Sequence, residues 1–329
     1  MQGVFMPNFI DYGFTNTKEM FSKAESEHYA IPALYSISLE QTNAICDAII
    51  AKRSPIIFLA SPNLLKQLEG EMLSRMIQGV VDRIHKAGLS LPVALHLDHG
   101  KSYEDCVKAI ENGFSSVMID GSLLPFEENL ALTKKVVEYA HQFNVSVEAE
   151  LGILSGEEEG EGGTHKETKY TNPKKAIEFI KRSGCDSLAI SIGTCHGLVK
   201  MKPDKTGKLP PLRYDILHEI EEEIPGYPIV LHGSSNIDPK YVNMINEYGG
   251  HLEKTVGIPD EEIRKAARLG VAKVNIATDG WIAALANTRR ILKEHPEAID
   301  SRVFTLPNRK ELYELYLHKI DILGSNNRY

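Results

Sequence analysis

Eight short apolar runs recur along the chain, at residues 29–37, 55–60, 93–98, 116–120, 146–151, 187–193, 229–232 and 273–279. Stretches with helical spacing lie in the gaps, among them 39–52, 102–112, 127–143, 173–183 and 260–269. A strand that is apolar on nearly every residue must bury both faces, and strands separated by helices pair in parallel. Eight such units point to an α/β fold closed into a (β/α)8 TIM barrel rather than an open sheet. The 329 residues are read as a single domain, 1–329, with 1–16 an N-terminal extension and 308–329 a C-terminal helical tail. Local signals agree. Ser102 followed by Asp105 resembles a capping box, and Thr171-Asn172-Pro173 supplies an N-cap with proline at the first helical position. Two extended loops interrupt the rhythm. Residues 152–172, rich in Gly and Glu, follow the fifth strand and have the length of a lid or binding loop, and 247–260 follow the seventh.

The net charge of −8 argues against nucleic acid or an anionic membrane as partner, since both demand a basic footprint. It leaves phosphorylated small molecules open, because phosphate sites are local and often built from backbone N–H groups. Cys46, Cys106, Cys185 and Cys195 form no CxxC pair, so a reducing cytoplasm is expected. The sequence carries no secretory leader pattern and no apolar run of about 18 residues, so no membrane span is expected.

Active sites of such barrels lie at the C-terminal ends of the strands, and chemically capable residues collect there. The third strand ends in Asp98-His99-Gly100, the sixth leads into Thr194-Cys195-His196-Gly197, and the seventh ends in His232-Gly233-Ser234-Ser235. The eighth carries Asn275, Thr278 and Asp279. Of twelve histidines, three precede glycine, where about one such pair is expected at this composition, and all three close strands. Singly, each reads as a strand-end residue. Together, three imidazoles around an open position form a catalytic Zn2+ site. His96 lacks the glycine and reads as a core or supporting histidine. Glu148 and Glu150 share one face of the fifth strand and would repel, so either a metal or barrel lysines must offset them. Glu157, Glu158 and Glu159 read as a solvated acidic run, although a loop over a metal site could carry a general base. Gly233, Ser234, Ser235 and residues 275–278 occupy the usual phosphate address of a barrel.

The motifs HLDHG, SSVMIDGS with PFEEN, SVEAELG, GTCHG, LHGSS and KVNIATD resemble class II, metal-dependent ketose-bisphosphate aldolases, most closely the fructose-1,6-bisphosphate enzymes. The resemblance implies zinc-dependent, reversible aldol cleavage of fructose 1,6-bisphosphate to dihydroxyacetone phosphate and glyceraldehyde 3-phosphate. It implies His99, His196 and His232 as zinc ligands, Glu150 at an alternative metal position and Glu148 in support. Asp98 would be the acid/base at the C4 hydroxyl, and Glu158 the loop group that moves the proton on the dihydroxyacetone-phosphate carbon. Gly197, Gly233, Ser235, Asn275 and Thr278 would hold the ketose phosphate, and the Gly197 and Gly233 carbonyls a monovalent cation, Na+ or K+. Ser61, Ala277 and Asp279 would lie on the substrate side. The long terminal helix and the resemblance point to a homodimer or homotetramer.

Several positions depart from the family pattern. Tyr35 stands where an asparagine is common, Leu123 where DASH carries histidine, Ala277 where fructose-bisphosphate enzymes often carry aspartate, and Cys195 where GTSHG has serine. Ala277 and Tyr35 keep tagatose 1,6-bisphosphate or another ketose 1-phosphate in contention. A metal-dependent isomerase or hydrolase, or a barrel without catalysis, are the alternatives from other classes.

Overall fold

The computed structural model describes residues 7–157, 164–165, 168–201, 203, 205, 208–252 and 255–329. Its strands are β1 (Ile31–Tyr35), β2 (Ile56–Ala60), β3 (Val93–Gly100), β4 (Ser116–Ile119), β5 (Ser146–Leu151), β6 (Gly156–Glu157), β7 (Thr164–His165), β8 (Ser187–Ile190), β9 (Ile229–Leu231) and β10 (Val271–Ile276). Eight of them close a parallel barrel in the order β1-β10-β9-β8-β5-β4-β3-β2, while β6 and β7 pair antiparallel outside it. β1, β2, β4, β8 and β9 are buried at every residue, as strands sandwiched between a barrel interior and outer helices must be.

The outer layer comprises α1 (Thr17–Ser26), α2 (Leu39–Lys52), α3 (Pro62–Leu68), α4 (Gly70–Lys86), α5 (Tyr103–Glu111) and α6 (Phe126–Ala140). It continues with α7 (Pro173–Ser183), α8 (Tyr214–Glu223), α9 (Pro239–Glu247), α10 (Asp260–Arg268), α11 (Thr278–Glu294) and α12 (Arg302–Leu323). The expected caps form: Ser102 and Asp105 make a reciprocal capping box on α5, and Asn172 caps α7 ahead of Pro173. At the opposite end of the barrel, Phe9 and Tyr12 are buried and the Thr15 N–H donates to the Val93 carbonyl, so the N-terminal segment packs on the start of β3.

Boundaries differ from the sequence pattern where polar side chains stop a strand. β8 ends at Ile190 because the Ser191 N–H turns to Thr171 Oγ1. Residues 278 and 279 open α11 rather than closing the last strand. The terminal helix starts before residue 308 and runs through Pro307. Asn308 anchors this stretch by donating to Thr288 Oγ1 and accepting from Asn287 Nδ2, which offsets the hydrogen bond that proline removes. In the loop after β5, Ile153 bridges to Lys169 and β6 pairs with β7.

Candidate active site

One cavity opens at the C-terminal ends of the barrel strands. Asp98, His99, His196, His232 and Asn275 line it, with Gly197, Gly233, Ser234, Ser235 and Thr278 on one flank. Tyr35, Ser61, Pro62, Ala277 and Trp281 form another wall, and Asn63, Lys101 and Lys200 complete it.

Neighbouring strand residues ordinarily face opposite ways, yet Asp98 and His99 both reach this cavity. β3 solves this with an irregularity. The pairing with β4 shifts between Leu97 and Gly100, and His99 takes a left-handed φ of 52°. His99 itself therefore makes the turn, and the strand continues through Gly100.

His99, His196 and His232 each offer a ring nitrogen within 4.8 Å of the others. His99 Nδ1 lies 3.1 Å from Asp120 Oδ2, and His232 Nε2 lies 2.9 Å from Glu148 Oε1. A carboxylate only accepts, so these contacts assign the imidazole protons to those outer nitrogens. The remaining nitrogens, His99 Nε2 and His232 Nδ1, then face each other as lone pairs at 3.1 Å. Two lone pairs at that distance repel unless a cation lies between them, so the donor set fits a divalent metal. Burial first, then the neighbouring His99, holds the His232 imidazole well below the usual histidine range, which keeps it neutral as a ligand must be.

The two glutamates of β5 divide their surroundings. Glu148 Oε2 accepts from Lys273 Nζ at 2.7 Å, and that ammonium also lies 3.2 Å from His96 Nε2. His96 Nδ1 is 2.7 Å from Ser116 Oγ, so His96 supports the site from within the core. Glu150 Oε2 sits 3.7 Å from both His99 Nδ1 and His232 Nδ1. His99, Asp120 and Glu150 form a second group able to hold a cation.

Asp98 is buried, with Asn275 Nδ2 donating to Oδ1 at 2.9 Å and the Tyr35 hydroxyl to Oδ2 at 2.7 Å. Burial opposes its ionisation, but the Lys273 ammonium and the Tyr35 hydrogen bond favour the charged form, and the carboxyl lies below its usual value.

Glycine is required twice around His196. Gly233 has φ 64°, and a Cβ there would fall 2.4 Å from the Cys195 carbonyl oxygen. Gly156 has φ 115°, and its Cβ would meet the His196 carbonyl oxygen at 2.2 Å. The loop after β5 and the segments after β8 and β9 therefore touch backbone to backbone. Thr278 opens α11 against the cavity, and no side chain caps that helix start, which leaves N–H groups suited to a phosphate.

Other expected residues fall differently. Ser61 lines the cavity while its Oγ accepts from the Leu64 N–H as the cap of α3. Asp279, expected on the substrate side, turns away from the cavity. Its carboxylate accepts from the Asn236 and Ile237 N–H groups and pairs with Lys319 Nζ at 2.8 Å. Helical geometry explains this, since adjacent positions of α11 point about 100° apart. Leu123 is exposed, and Glu158 lies outside the described residues. Sequence reasoning assigned no role to Asp120, Lys101, Lys200 or Trp281. Two of them carried a signal: Asp120 closes the apolar run 116–120, and Trp281, the sole tryptophan, follows Thr278 by three residues on one helix face.

The chain matches the family model described as class II fructose-bisphosphate aldolase over residues 15–328. It is 47% identical to the fructose-bisphosphate aldolase of Treponema pallidum, covering 98% of this chain and 100% of that one. It is 36% identical to a protein of Bacillus licheniformis named 6-phospho-5-dehydro-2-deoxy-D-gluconate aldolase, over 96% of each. The crystal structure of the YdjI aldolase of Escherichia coli superposes with a TM-score of 0.73 at 30% identity, covering 96% of this chain and 99% of that one. With the barrel, the histidine cluster and these relatives in agreement, the chain belongs to the class II fructose-bisphosphate aldolase family and is a lyase.

Proposed function

We propose that this aldolase holds Zn2+ through His99, His196 and His232 and reversibly cleaves fructose 1,6-bisphosphate into dihydroxyacetone phosphate and glyceraldehyde 3-phosphate. The observation that carries the reading is the cluster of three imidazoles beside a charged, buried Asp98. A divalent metal held by these three histidines would supply Lewis-acid polarisation of the ketose carbonyl. Asp98 takes the proton of the C4 hydroxyl, its O–H electrons form the aldehyde C=O, and the C3–C4 pair passes to C3. Protonation of C3 completes dihydroxyacetone phosphate, the role assigned to Glu158. The start of α11 with Gly197, Gly233, Ser235, Asn275 and Thr278 receives the ketose phosphate, with Lys200 beside it. Glu150 provides an alternative metal position, Glu148 orients His232, and the Gly197 and Gly233 carbonyls offer a monovalent cation site.

The same chemistry on tagatose 1,6-bisphosphate or another ketose 1-phosphate is the second reading, favoured by Ala277 and the aromatic Tyr35–Trp281 wall. A panel of ketose phosphates, followed by dihydroxyacetone-phosphate release with and without a chelator, tests both. Strong chelator-sensitive release from fructose 1,6-bisphosphate is expected; weak release beside a faster ketose would transfer the assignment. The protein is proposed to act in the cytoplasm, in keeping with four buried free cysteines, and no helix among the described residues is long and apolar enough to cross a membrane. A homodimer or homotetramer is proposed from the family resemblance.

A further inference from the structure

We propose that Tyr35 is a positioning residue for the aldol step and acts through Asp98; this rests on the reading of Asp98 as the acid/base. Tyr35 closes β1 and is 4% exposed, and its hydroxyl donates to Asp98 Oδ2 at 2.7 Å. Asn275, on β10, donates to the other oxygen at 2.9 Å. One donor would leave the carboxylate plane free to rotate about the Cβ–Cγ bond. A donor on each oxygen, from two different strands, fixes that plane. Each oxygen keeps a further lone pair, so the carboxylate can still accept a substrate proton.

The ring of Tyr35 is itself held. It meets Trp281 edge-on, with centroids 5.6 Å apart and planes at 71°. Trp281 lies on α11, whose start borders the cavity. The irregular end of β3 sets the Asp98 backbone, Tyr35 and Asn275 set its carboxylate, and Trp281 sets Tyr35. A base held in this way takes the alcohol proton without reorienting first, which is the condition for an efficient transfer. The hydroxyl does this work, and the ring places it.

Tyr35→Phe removes the hydroxyl and keeps the ring against Trp281. The expected result is a 10- to 100-fold loss of kcat, the order that a misplaced catalytic group produces. KM, metal content and thermal melting should stay near the parent values. Replacing Tyr35 by 4-aminophenylalanine, which donates an N–H from the same place, should recover most of kcat. In an Asp98→Ala background, Tyr35→Phe should cost less than about two-fold, because the two act as a unit. Full kcat in Tyr35→Phe beside a crippled Asp98→Ala overturns the proposal and leaves the role of Asp98 standing. Losses that multiply in the double variant also overturn it, since Tyr35 would then act independently. Full turnover in Asp98→Ala removes both.

Discussion

Glu148 is buried beside a second carboxylate, and Lys273 is what makes this tolerable. The ion pair is 2.7 Å long with side chains 0% and 1% exposed. Removing the cation strands a charge in the interior, so Lys273→Met should destabilise the fold by about 3–5 kcal/mol in urea titrations. Glu148 also bonds His232, so Glu148→Gln should weaken metal binding by about 10- to 100-fold in competition with a chromogenic chelator. At Asp98 the expectation separates binding from chemistry. Asp98→Ala should keep its metal by atomic absorption while losing turnover by about 10²-fold or more. The sequence singled out Asp98, His99, His196, His232 and both glutamates. It left open whether metal or lysine offset the glutamate pair, and the structure gives Glu148 the lysine while Glu150 faces the histidines. Alternation within β5 shows that two carboxylates share a face, but not which groups neighbouring strands bring opposite them.

Elements hold these residues through departures from regular geometry. The shifted register at the end of β3 puts consecutive residues on one side, and strand periodicity alone would have separated them. The base of the β5 loop is bound to the β8 segment, with the His196 N–H donating to the Ser155 carbonyl at 2.8 Å and Gly156 against the His196 carbonyl. Gly156→Ala should therefore displace His196 and lower metal occupancy, with little change in far-UV circular dichroism. On the far side of the barrel, Glu25 of α1 is pushed up to about 8, by burial first and by Glu221 of α8 second. Between pH 4.5 and about 8 the folded chain keeps a proton that the unfolded chain has released. Stability from this group falls as pH rises through that window and levels off above it. Glu25→Gln, uncharged throughout, should raise the melting temperature at pH 8 more than at pH 4.5.

Across the whole molecule, barrel closure brings residues 133 positions apart, His99 and His232, to 3.1 Å. Because a metal would bind only the closed arrangement, free metal at 100 times its Kd should stabilise the fold by about 2.7 kcal/mol, read as a rise in melting temperature that a chelator reverses. Much of this organisation is local and therefore legible in the chain. Apolar runs with helices between them dictate a parallel barrel, since both strand faces need cover. Histidine before glycine, at the end of β3, just past β9 and in the segment that follows β8, then places the ligand candidates at the mouth. What tertiary structure alone decided is which side chains meet across non-adjacent strands. The phenol of Tyr35 reaches Asp98, Lys273 reaches Glu148, and Asp120 supports His99. Asp279, next to a cavity residue in sequence, turns instead to Lys319. Those pairings depend on register, on the irregular end of β3 and on the rotation of α11, quantities set by packing eight strands into one closed ring rather than by any short stretch of sequence.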